Sequence, residues 1–152
     1  MAKIEQKLKA MGLSLPALSV PVANYVPIVR HGDMIFLSGH IPRNPDGSPV
    51  NGRIGENIYT SQAYELARQV TLSLLSTIQS EIGDLDNVKR IIKMVCIMNA
   101  SPDYTEHPTV ANGASDLLVG VFGDRGKHAR VALGAESLPG GVPIEIELIA
   151  AV

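Results

Sequence analysis

The residues with the clearest chemical potential crowd into the last quarter of the chain, where Arg130, Glu136, Glu145 and Glu147 stand among small and apolar neighbours. A guanidinium held on a rigid strand can clamp a carboxylate bidentately, and a nearby carboxylate such as Glu145 can position or deprotonate a water. Pairing of Arg130 with a Glu across a subunit interface is the plainer reading of the same pattern, and spacing alone does not separate the two. Other candidates are weaker. His31, His40, His107 and His128 show neither HExxH nor close paired spacing, so no metal site is expected and they read as solvated or turn histidines. His40 stands two residues past Ser38 and could face the same cleft. Ser38-Gly39-His40 lacks the GxSxG of a nucleophile elbow, and Gly120, Gly123 and Gly126 follow a helix pattern rather than open one, which suits capping and not phosphate binding. The single Cys96 lies in the apolar run Val95-Cys96-Ile97-Met98 and behaves as a small hydrophobe, which suits a reducing cytoplasm.

The elements that must hold these residues follow from periodicity. Ile4, Leu8 and Met11 give residues 2–11 a short amphipathic helix, followed by a Pro-punctuated arm at 13–24 that is expected to pack on its own sheet edge. Residues 26–39 read as two strands around the turn His31-Gly32-Asp33, and 43–56 as a loop. Ala63, Ala67, Val70, Leu74 and Ile78 place one buried face on a long helix within 57–82. Residues 88–98 form a central strand, 107–122 a second helix, and 129–136 and 143–151 two alternating strands. Along 129–136, Val131, Leu133 and Ala135 share one face and Arg130, Ala132, Gly134 and Glu136 the other, with Arg130 and the glutamates assigned to the face away from the core. The order predicts an α+β fold: a mixed β-sheet with two α-helices on one face, whose second face is apolar enough to be buried in an oligomer.

Length and charge narrow the function. At 152 residues the chain buries one sizeable core, giving an N-terminal helix and arm at 1–23 and a single domain at 24–152. A net charge of −2, no Trp and two Phe argue against a nucleic-acid surface. Pro16 and Pro21 interrupt the apolar stretch after the first lysines, so export is not expected, and no segment is long enough to span a bilayer.

Three segments then make the chain recognisable: Tyr25-Val26, Met34-Ile35-Phe36-Leu37-Ser38-Gly39-His40-Ile41-Pro42, and residues 130–150, with the spacings from Arg130 to Leu138-Pro139 and to Glu145. Over residues 24–152 the sequence resembles the reactive-intermediate (imine/enamine) deaminase superfamily, also known as endoribonuclease L-PSP-like, in a longer subgroup. The resemblance implies a chorismate-mutase-like fold, a homotrimer with clefts between subunits, and hydrolysis of 2-imino or 2-enamino acids to 2-keto acids and ammonia without a cofactor or metal. It implies that Arg130 grips the carboxylate of a small metabolite, that Glu145 positions the water, and that Tyr25, Ser38 and Gly39 line the cleft. His40 stands where well-known members carry Gln, and Ala132 where many carry Cys, so Ala132 can contribute only main chain. A trimeric metabolite-binding protein without turnover is the alternative, and a ribonuclease is disfavoured by the acidic balance.

Overall fold

The computed structural model describes residues 2–21 and 23–152; Met1 and Val22, both within the expected N-terminal arm, lie outside the described residues. The chain runs α1 (Lys3–Ala10), β1 (Ile28–His31), β2 (Met34–Leu37), α2 (Thr60–Ile82), β3 (Arg90–Asn99), α3 (His107–Phe122), β4 (Ala129–Ala135) and β5 (Ile144–Ala151), with short 3-10 turns at Leu85–Asn87, Gly123–Gly126 and Pro139–Gly141. The five strands form one mixed sheet in the order β1-β2-β5-β3-β4, antiparallel throughout except for the parallel pair β3/β4.

Local sequence explains the boundaries. Gly32 takes the left-handed φ of 60° that the tight β1–β2 turn demands. The α2 helix starts at Thr60, three residues into the expected range, because the Tyr59 N–H is captured by the Gln62 side chain at 2.8 Å and fixes the N-terminus there. Gly123 closes α3 at φ 61°, its N–H returning to the Val119 carbonyl, as the glycine pattern led us to expect. The buried stripe Ala63, Ala67, Val70, Leu74 and Ile78 seals α2 onto Ile35, Ile91, Met94, Ile146 and Leu148.

The arm runs differently from expectation. The α1 helix packs over α3 and the Leu85–Asn87 turn, burying Ile4 and Leu8, which need more apolar surface than a sheet edge offers. The Asp86 carboxylate accepts the Lys3 and Ile4 N–H groups at 2.8 Å each, supplying from a distant turn the cap that Ala2 cannot. Beyond α1, the Ser76 hydroxyl donates to the Pro16 carbonyl at 2.6 Å and pins the arm to α2.

Helices cover one face of the sheet. The other face carries Val29 paired with Phe36, Val95 with Val131, and Ile97 with Leu133. Val29, Phe36, Val131 and Leu133 are between 40% and 51% exposed, an apolar surface of the kind that marks an interaction site.

Candidate functional site

A cleft of about 500 Å³ opens where β2 ends and the chain turns out through Ser38-Gly39-His40. Its lining includes five of the expected residues: Tyr25, Ser38, Gly39, His40 and Glu145. The Ser38 hydroxyl donates to the Val26 carbonyl at 2.7 Å, and its N–H to Pro27, which fastens the Tyr25 segment beside the β2 exit. Gly39 has a steric reason to be glycine: a Cβ there would lie inside the Glu145 carboxylate. Glu145 therefore rests directly over backbone. Burial in this cleft raises its pKa above the ordinary carboxylate value, and the charge of Glu147, two residues along β5, adds to the effect.

His40 forms the back wall. Its Nδ1 lies 2.7 Å from the Ser38 carbonyl, which can only accept, so Nδ1 carries the proton and Nε2 faces the Thr77 hydroxyl of α2 at 2.8 Å. Both ring nitrogens are thus occupied by the protein, and His40 offers the cleft shape rather than a free donor. Desolvation is the main cause lowering its pKa, opposed by the Ser38 carbonyl and reinforced by the Arg43 charge. The sign follows: a base whose folded pKa is depressed contributes stability that is complete above its unfolded value of 6.5 and is lost as pH falls below it towards the folded pKa. Denaturant titrations between pH 7.5 and 5.5 should accordingly show a steeper loss of stability in the natural protein than in His40→Gln. Equal slopes would show that the buried imidazole does not resist protonation.

Arg130 and Ala132 lie elsewhere. They sit opposite Met94 and Cys96, whose side chains are buried against the helices, so they belong to the helix-covered side of β4 and not to the face away from the core. The Arg130 Nη1 donates to Asn112 Oδ1 at 2.8 Å and to Ser115 Oγ at 3.1 Å, both on α3. Gly134, next on that side, leaves room for the His107 ring, which a Cβ would strike. Glu145 is in register with Ile97 on the opposite, open side, with β3 lying between the two strands. One chain therefore assembles the Glu145 cleft and presents Arg130 at the far edge of its sheet. Cys96, beside Arg130, has its thiol pushed up to about 12 by burial, so it places no thiolate against the guanidinium.

Sequence reasoning missed several participants. Ser19, Val20, Pro21 and Ala23 of the arm wall the cleft, joined by Arg43, Ser73 and Pro139. Their route to the site is tertiary and leaves no local signal. Asn112 and Ser115, three apart on a helix, carried a readable hint of a shared face. Among the described residues no group of three or more His, Cys, Asp or Glu could hold a metal, and no helix is long and apolar enough to cross a membrane.

A mixed sheet with helices on one face, a cleft holding a carboxylate beside the exit of β2 and an arginine on the edge strand β4 defines a class of small proteins. The chain belongs to the family described as "YjgF/chorismate mutase-like, putative endoribonuclease", whose model matches residues 5–150. It is 38% identical over 148 residues to Protein TCP17 of Trypanosoma cruzi, covering 97% of this chain and 92% of that protein. Among solved structures it resembles Atu1372 of Agrobacterium tumefaciens, described as of unknown function (33% identity, TM-score 0.90, 99% and 94% of the two chains). It also resembles a "putative endoribonuclease" of Shewanella oneidensis (29% identity, TM-score 0.94, 99% of each chain).

Proposed function

We propose that this protein hydrolyses reactive 2-imino or 2-enamino acids to 2-keto acids and ammonia, in clefts completed by a second copy of the chain within a homotrimer. The observation that carries the reading is the half-buried Glu145 carboxylate over Gly39, with its affinity for protons raised by desolvation. A ring of copies joined head to tail would bring the β4 edge of one chain to the β1–β2 side of the next, and the exposed apolar sheet face gives that ring a reason to close. In such a cleft Arg130 of a neighbouring copy holds the substrate carboxylate and fixes the C=N carbon near Glu145. Glu145 takes a proton from water as the oxygen adds to that carbon, and the proton passes to nitrogen. The resulting carbinolamine expels ammonia and leaves the keto acid. The bond attacked is already electrophilic, so positioning and one base suffice. An RNA substrate would call for a basic groove, whereas this cleft is lined by Glu145 with a single arginine, Arg43.

The test couples the protein to a pyridoxal-phosphate dehydratase that releases 2-iminobutanoate in the presence of a trapping amine, and follows keto-acid formation. Acceleration by the natural protein, falling by roughly 10²-fold in Glu145→Gln, is expected for loss of a general base. Unchanged release kinetics at stoichiometric protein would sink the reading. If 2-oxobutanoate nonetheless protected the protein from thermal unfolding, a binding protein without turnover would replace it.

A further inference from the structure

The surroundings of Arg130 fix more than its position. The Gly126 carbonyl can only accept, so His128, whose Nδ1 lies 2.6 Å from it, carries its ring proton on Nδ1. With one ring proton so placed, His128 Nε2 accepts the Ser115 hydroxyl at 3.0 Å. That orients a Ser115 lone pair to accept one Nη1 hydrogen of Arg130 at 3.1 Å, while Asn112 Oδ1 accepts the other at 2.8 Å. Both hydrogens of Nη1 are then used, and every donor in the chain from Arg130 to Gly126 points the same way.

A guanidinium can grip a carboxylate bidentately either through Nη1 and Nη2 or through Nε and Nη2. The first edge needs an Nη1 hydrogen, and α3 holds both. We infer that Asn112, Ser115 and His128 are positioning residues that aim Arg130 and select its Nε–Nη2 edge as the surface that meets an anionic ligand. Holding a long side chain in place in advance also reduces the ordering cost that binding would otherwise carry. The parallel β3/β4 pairing serves the same end: it sets Arg130 level with buried Met94 and Ala132 level with buried Cys96, a packed floor from which the guanidinium reaches α3.

That the ligand is a carboxylate rests on the proposed deaminase reading; the aiming of Arg130 does not, and two measurements keep them apart. The first is nitrogen-15 NMR of the arginine side chains in the full-length protein, with Arg130 assigned by its loss in Arg130→Lys. Separate Nη1 and Nη2 signals for Arg130 in the natural protein, merging in the Asn112→Ala/Ser115→Ala double variant, are expected of a clamped guanidinium. Averaged signals in the natural protein would overturn the inference. The second is the dissociation constant for 2-oxobutanoate and for its neutral amide. The double variant should bind the acid on the order of 10-fold more weakly and the amide unchanged, Ser115→Thr should restore the single-site loss, and Ser115→Ala should add nothing in an Arg130→Lys background. Equal weakening of acid and amide would mark a merely structural effect and also overturn it. A clamped Arg130 in a protein that binds neither compound would leave the aiming in place and remove the deaminase reading instead.

Discussion

For the proposed imine hydrolysis, Arg130→Ala is expected to lower kcat/KM by roughly 10²- to 10³-fold, the loss typical of truncating one partner of a desolvated, hydrogen-bonded charge pair. The thermal midpoint of the chain should change little, because half-buried Arg130 gives up two polar contacts, to exposed Asn112 and half-buried Ser115, and no core packing. The placement of Arg130 and Glu145 on opposite faces and different strands makes a sharper outcome available. If each cleft draws its arginine and its glutamate from different chains, inactive Arg130→Ala and Glu145→Gln proteins refolded together will regain activity. Random assembly from equal amounts pairs an intact arginine with an intact glutamate in about a quarter of the clefts. Recovery of about a quarter of the natural rate would establish shared sites, and no recovery would show that each cleft is built from one chain.

A large effect on folding is expected at Gly113. A Cβ there would overlap the Tyr64 carbonyl of α2, a backbone atom that cannot swing aside, and would press on Ala67. Alanine is the better helix former by nearly 1 kcal/mol, so propensity alone predicts a gain. Overpacking of two helices at their closest approach costs about 1–3 kcal/mol or more and should override it, lowering the midpoint of thermal unfolding by roughly 5–10 °C. The hydrogen bond from the Tyr64 hydroxyl to Asp116, 2.7 Å, joins the same two helices one turn on and would be strained by the same separation. A Gly113→Ala protein as stable as the natural one would mean that the α2–α3 approach is looser than the atoms indicate.

Much of this architecture was readable from periodicity. The apolar stripe of α2, the turn at Gly32 and the capping glycine at 123 each marked an element within a few residues, because burial on a period of 3.6 or 2 is a local property of the chain. The cleft was readable in part, through the family resemblance that Tyr25, Ser38, Gly39 and Glu145 carry. What misled was the side of β4. Its alternation separates Val131 and Leu133 from Arg130, Ala132 and Gly134, and bulk alone points to the first set as the core side. The larger residues instead face the open side, while the helix side of this edge strand must leave room for the His107 ring and the reach of Arg130 to α3. Alternation reports that two faces exist, and only the packing partner decides which is which. The arm's part in the cleft was hidden for a related reason: nothing in Ser19, Val20, Pro21 or Ala23 shows that a hydroxyl on α2 and a carboxylate at residue 86 will steer them there.

That steering has a further consequence. Between the Pro16 anchor and the first residue of β1 the described residues belong to no helix or strand, yet Ser19, Val20, Pro21 and Ala23 form one wall of the cleft. A residue added or removed along this stretch would resize the opening while leaving sheet register and helix packing alone. The size of the cleft is therefore separable in this fold from the demands of folding: on the proposed reading, what it admits is set by the length of a short connecting segment while Arg130 and Glu145 stay as they are.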